Sequence, residues 1–189
     1  MSIPKNFPAL VACVALSACA GLTSDRPAQR APAFDLVGRV AVSYDGRAFS
    51  SGVRWEHLED RDEIWLLTPD AQAVAHIEAD ASGATLTGTD RKQLQAADVE
   101  SLTRRGLGWE LPVARLAWWV RGEIVPGGLV GEATRDQQGR LVRLVQDGWR
   151  VVLAHQADGG KLPQRLELTR EGHQIRLVID NWRSNRDAP

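Results

Sequence analysis

Beyond residue 33, apolar and polar positions alternate along most of the chain. Phe34, Leu36, Gly38, Val40, Val42 and Tyr44 share one face, and Asp35, Val37, Arg39, Ala41 and Ser43 the other. A period of two is that of a β-strand with one buried face. Asp45-Gly46 supplies a hairpin turn, because glycine tolerates positive φ, and Phe49 to Leu58 is the returning strand. Asp62 to Thr68 and Ala73 to Glu78 form the next pair, around a Pro69-Asp70-Ala71-Gln72 loop. Ala84 to Thr89 and a short piece near Gln93 to Gln95 continue the meander.

The period then changes. Asp98 is placed to cap a helix through Val99, Leu102 and Arg105, ended by Gly106 or Gly108. Pro112 suits the first turn of a second helix. On that helix Leu116, Trp119 and Val120 share a face, so Trp118 is expected to point another way; Gly122 closes it. After Pro126-Gly127-Gly128 the strands resume: Val130 to Arg135, Leu141 to Gln146, Trp149 to His155, Gln164 to Thr169 and Gln174 to Trp182. The separators Gln138-Gly139, Asp147-Gly148, Asp158-Gly159-Gly160 and Glu171-Gly172 all carry the glycine a hairpin loop favours. The pattern predicts a mainly β domain of about ten or eleven up-and-down strands interrupted once by helices. Such a sheet covers its apolar face by closing into a barrel or by wrapping a helix, and a ligand then lies between sheet and lid.

The N-terminus changes the picture. Phe7 to Leu16 is an apolar run preceded by one charge, Lys5, and it ends in Leu16-Ser17-Ala18-Cys19. It is far shorter than the roughly 20 residues that span a bilayer as a helix. An apolar residue, two small residues and a cysteine form a lipobox, the cleavage and acylation site of a bacterial lipoprotein. Residues 1–18 are thus expected to be a signal peptide, with Cys19 the lipid attachment site. Residues 19–33, rich in Ala, Pro, Ser, Thr and Arg, read as a tether with a coil reach of about 20 Å. Residues 34–189 form a single domain.

Composition narrows the chemistry. The chain has 23 basic and 24 acidic residues, a net charge of −1, and no basic run, so nucleic acid is not an expected partner. Its two cysteines are Cys13, within the signal, and Cys19. The mature domain therefore carries no disulfide and no thiol chemistry. His57, His76, His155 and His173 lack a second histidine at metal-ligand spacing, and no zinc site is expected. Nucleophile elbows and phosphate-binding glycine loops are absent from the sequence. Asp60, Asp62 and Glu63 read as solvated turn charges rather than an acid/base pair. No enzyme activity, metal or cofactor is expected, and the protein is expected to act as a monomer. Seven tryptophans stand beside one tyrosine and three phenylalanines. Core filling explains most of them, while Trp119, on the apolar face of the insert, is a candidate to line an acyl-chain pocket.

At the insert the chain resembles a known family. Gly106-Leu107-Gly108-Trp109-Glu110-Leu111-Pro112-Val113, followed by Leu116, Trp119 and Arg121-Gly122, is similar to the LolB outer-membrane lipoprotein receptors. So are Gly38-Arg39-Val40-Ala41-Val42, Ser51-Gly52, Trp55, Gly83-Ala84-Thr85-Leu86 and the closing Asp180-Asn181-Trp182. The resemblance implies a half-open antiparallel barrel with a helical lid over an apolar cavity. It also implies a function: accepting lipoproteins from the periplasmic carrier LolA and inserting them into the outer membrane, without nucleotide. It places the chain at the outer membrane, lipid-anchored and facing the periplasm, with cargo acyl chains as its ligand. Ala20 agrees, since aspartate after the lipidated cysteine is the usual inner-membrane retention signal. The cavity candidates, from alternation and helical spacing, are Val40, Val42, Trp55, Leu66, Leu116 and Trp119. One departure stands out: the family usually shows an exposed Pro-Leu-Gly tip, where this chain has Pro69-Asp70-Ala71. The alternative reading is a lipid-anchored envelope protein that binds another apolar ligand, a glycolipid or a fatty acid.

Overall fold

A computed structural model describes residues 33–156 and 159–183. Cys19, the signal segment and the tether up to residue 32 lie outside the described residues. The elements are, in chain order, β1 (Phe34–Tyr44), β2 (Arg47–His57), β3 (Arg61–Leu67), β4 (Ala73–Asp80), β5 (Gly83–Gly88), β6 (Gln93–Ala96), α1 (Val99–Gly106), α2 (Val113–Trp119), β7 (Val130–Arg135), β8 (Leu141–Gln146), β9 (Trp149–His155), β10 (Pro163–Arg170) and β11 (His173–Arg183).

The strands form one antiparallel sheet, in the order β6-β5-β4-β3-β2-β1-β11-β10-β9-β8-β7. The expected meander is present in two runs that meet where β1 pairs with β11. β6 and β7 are the two edges, so the sheet stays open, and the helical insert carries the chain from one edge to the other.

Alternation decides which side is the core. In β1, Leu36, Val40 and Val42 are buried, whereas Arg39, Ala41 and Ser43 are exposed. Val53 and Trp55 of β2, Ile64 and Leu66 of β3, and Ile175, Leu177 and Ile179 of β11 continue the buried face across the strand ladder. Gly38 belongs to the same face for a steric reason. The β1–β11 register slips between Val37 and Gly38, and a Cβ there would collide with the Val178 carbonyl oxygen. At the β1–β2 turn Asp45 and Gly46 both have positive φ, 45° and 70°, which gives the primed geometry of a tight hairpin.

The insert covers this face. Asp98 caps α1, its carboxylate accepting from the Ser101 N–H at 2.6 Å. Glu100 in the first turn and Arg104 and Arg105 in the last complement the helix dipole. α2 follows from Pro112, which takes the N-cap position. Val113, Leu116, Ala117, Trp118 and Trp119 are all buried, at 8% exposure even for Trp118. Trp118, expected to point away from the Leu116 and Trp119 face, is buried as well and is not among the residues lining the interior void. A seven-residue helix enclosed by a concave sheet has almost no solvent face, and only Ala114 stands exposed.

Antiparallel order also sorts the turns between two rims. Ala33 and the turns at 58–60, 81–82 and 136–140 lie on one. The turns at 45–46, 68–72, 89–92, 147–148 and 171–172 and the entry to β7 lie on the other. The Pro69–Ala71 loop is therefore a strand's length from Ala33.

Candidate functional site

The void between sheet and insert is lined by apolar residues alone. From the sheet it is lined by Leu36, Val40, Val53, Trp55, Ile64, Leu66, Ile175 and Leu177. From the insert it is lined by Trp109, Leu111, Val113 and Leu116. Its volume is about 30 Å³, the share of liquid occupied by one water. Pockets that hold a drug-sized ligand enclose about 300–1,000 Å³. The interior is shut in this structure, with the insert's side chains filling the space an acyl chain would need.

Of the six residues the sequence singles out, Val40, Trp55, Leu66 and Leu116 line the void together. Val42 and Trp119 are buried, at 1% and 0% exposure, but are not among its lining residues. Trp119 has a structural partner instead. Its Nε1–H donates to Gln146 Oε1 at 3.1 Å, and its ring lies tilted against Trp149 with centroids 6.4 Å apart. Gln146 is fully buried; its Oε1 also accepts from the Val125 N–H at 3.1 Å, and its Nε2 donates to the Val125 carbonyl at 2.8 Å. One glutamine thereby pins the end of the insert to β8. Sequence reading passed over it, although a glutamine two places after Leu144, on the inward side of a strand, is itself the signal. Gln146→Leu is expected to cost about 3 kcal/mol, because buried donors on Trp119 and Val125 lose their acceptor. Chemical denaturation measures it, and an unchanged midpoint would mean that this network does not hold the insert.

Elsewhere few polar bonds hold the insert. Glu110 accepts from Arg104 at 2.8 Å and from Arg170 at 3.1 Å. Burial pushes the Glu110 carboxyl up, but the Arg104 hydrogen bond and the charges of Arg170 and Arg104 outweigh it and hold the group below the ordinary range. Arg115 meets Asp147 at 3.1 Å, and the Tyr44 hydroxyl donates to the Leu107 carbonyl at 3.0 Å.

Asp62 corrects another expectation. It is not a solvated turn charge: it lies in β3 at 8% exposure. Its carboxylate accepts from Trp55 Nε1 at 2.8 Å and pairs with His57 Nδ1 at 2.6 Å. Phe34 stacks on His57 with centroids 5.0 Å apart. Among the described residues no group of three or more His, Cys, Asp or Glu is arranged to hold a metal ion.

The Pro69–Ala71 loop is exposed. Ala71 holds φ at 64°, a conformation that suits the glycine of a Pro-Leu-Gly tip better than alanine. A hydrogen bond from Thr68, then one from its own backbone, holds the Asp70 carboxyl below its ordinary range. Gln72 Nε2 also donates to it at 2.8 Å. The tip is therefore charged at neutral pH.

The model of the family "Outer membrane lipoprotein LolB" matches residues 32–182. The outer-membrane lipoprotein LolB of Nitrosomonas europaea is 40% identical over 153 residues, 79% of this chain and 72% of that protein. The protein of the same name from Chromobacterium violaceum is 37% identical over 174 residues, 88% of this chain and 92% of its own length. Among solved structures, a DUF1329 family protein from Desulfovibrio piger superposes with a TM-score of 0.54 at 9% identity, covering 84% of this chain and 88% of that one. That likeness is one of fold.

Proposed function

The chain belongs to the outer membrane lipoprotein LolB family and serves as an outer-membrane lipoprotein receptor; from that premise we propose that it takes acylated cargo from the soluble carrier LolA into the space between sheet and insert, and passes it to the bilayer. The observation that carries this reading is the interior itself: twelve apolar side chains, shared between sheet and insert, with no polar group among them.

Entry requires the insert to move away from the sheet, since the void holds no more than a water. The exchange is close to balanced. An acyl chain that displaces Trp109, Leu111 and Leu116 restores to the sheet the apolar contact it loses, at the same roughly 25 cal/mol per Å². What opening leaves uncovered is the apolar face of the insert. Another apolar surface, the carrier's or the membrane's, must cover it, and this ties opening to the encounter with a donor or an acceptor. Release then runs downhill, because the bilayer covers every methylene while the protein covers only part of each chain. No step uses an acid, a base or a nucleotide.

Depleting the protein in its own cell is the test. Lipoproteins destined for the outer membrane are expected to accumulate bound to the periplasmic carrier. Normal sorting after depletion would contradict the reading and favour a receptor for a glycolipid or fatty acid.

The Pro69–Ala71 loop is a weaker membrane contact here than an apolar tip would be. An exposed leucine entering a bilayer contributes about 1.5–3 kcal/mol, whereas the ionised Asp70 resists leaving water. Asp70→Leu, in a chain also carrying Cys19→Ser, is expected to raise delivery of cargo into vesicles about tenfold over the Cys19→Ser parent. Unchanged delivery would show that the loop does not face the membrane.

A further inference from the structure

Among the described residues, the most exposed large apolar side chain lies at the entry to β7. Leu129 is 84% exposed and Val130 48%, directly after Pro126-Gly127-Gly128. This tip is held in place. The Leu129 N–H donates to Asp147 Oδ1 at 2.9 Å, and the Asp147 N–H returns a bond to the Leu129 carbonyl at 3.0 Å. A leucine on an ordered backbone with its side chain in water has no packing role in the domain.

The sheet beside it is basic on its outer face. Arg143 of β8, Arg150 of β9 and Arg165 of β10 are exposed, and no ion pair among the described residues engages them. Arg143 stands opposite Val152 and Arg150 opposite Val145 in the strand register, so aliphatic and cationic side chains interleave. Val152 is itself 41% exposed. The acidic groups on this face are Glu132, opposite Val145, and Glu167, which Arg176 occupies at 3.0 Å. In a chain of net charge −1, the unpaired Arg150 and Arg143 stand two and four residues from the 147–148 turn that is bonded to the apolar tip, whereas Arg165 lies toward the other rim.

The geometry points to a membrane-contact surface made by Leu129 together with Arg143 and Arg150, whose partner is a bilayer surface carrying anionic phospholipid headgroups. A small apolar tip flanked by arginines suits a lipid interface, where the side chain enters the acyl boundary and the guanidiniums stay with phosphates. The tip shares its rim with the Pro69–Ala71 loop, so it supplies at β7 the apolar contact that Asp70 withholds at the other loop. The tether can reach: residues 20–33 extend to about 45–50 Å, and a strand of β1's length spans about 36 Å. The inference rests on the receptor reading only in taking a bilayer as the occupant.

The test is flotation of the mature chain, residues 19–189 carrying Cys19→Ser, without cargo, on vesicles of phosphatidylcholine alone and with one third phosphatidylglycerol. The parent is expected to float with the anionic vesicles and far less with the neutral ones. Leu129→Asp is expected to lower binding at least tenfold, with an unchanged melting temperature. Arg143→Ser and Arg150→Ser are each expected to lower it about fivefold, an effect that high salt erases. No binding by the parent, equal binding to both vesicles, or full binding by Leu129→Asp would overturn the inference. Variants that keep vesicle binding but lose the carrier would overturn it too, assigning the surface to a protein. Because no cargo is present, a protein that binds vesicles this way yet fails to accept lipoproteins would sink the receptor reading and leave this one standing.

Discussion

Cys19→Ser is expected to block acylation and lipoprotein-type cleavage, and a mature chain from residue 19 carrying it is expected to lose most of its membrane association. Each buried methylene contributes about 0.8 kcal/mol, and one acyl chain anchors only marginally while two or more hold firmly. A lipidated Cys19 therefore accounts for nearly all of the anchoring. The unanchored domain keeps only contacts of the kind Leu129 offers, which are weak and reversible. Intact mass of the wild-type protein should give a chain beginning at Cys19 plus acyl groups. An unmodified cysteine, or a different N-terminus, would refute the assignment.

Trp109→Ala carries the second large effect. Trp109 is 2% exposed, lines the interior void and lies tilted against Phe49 with centroids 6.3 Å apart. Its removal is expected to cost about 3–5 kcal/mol, which lowers the melting temperature by about 10 °C in a domain of this size. Because the indole occupies space that cargo would use, the variant should also gain binding of a small apolar fluorescent probe that the parent excludes. Cargo uptake should persist at temperatures where the variant stays folded. A variant as stable as the parent, or one that gains no probe binding, would mean that Trp109 does not plug the interior.

Strong local periodicity made the strands legible. β1 alternates cleanly from Phe34 to Tyr44, and Asp45-Gly46 announces its turn, so the element needs no tertiary information. The N-cap at Asp98 is equally local. The pairing of β1 with β11 was not legible, because register between strands well over a hundred residues apart is fixed by the collective closure of the core. Trp118 shows the limit of helical spacing, which marks one face as apolar but cannot say that a short helix will be enclosed on nearly every side. Asp62 looked like a turn charge because its neighbours Asp60 and Glu63 resemble one. Its partners Trp55 and His57 come from the adjacent strand, and only pairing brings them within hydrogen-bond reach. The interior candidates came from alternation, which names a face and not a void. Val42 and Trp119 sit on that face and are occupied by packing and by Gln146.

One measurement addresses acceptance and delivery together. Lipoprotein labelled in its acyl chains, bound to the purified carrier, is mixed with the lipidated protein in anionic vesicles, without nucleotide. The label is expected to leave the carrier and float with the vesicles, and to remain on the carrier when protein-free vesicles are used. Label that stays on the carrier in both cases, with a folded and acylated protein present, would contradict the role assigned to the apolar interior.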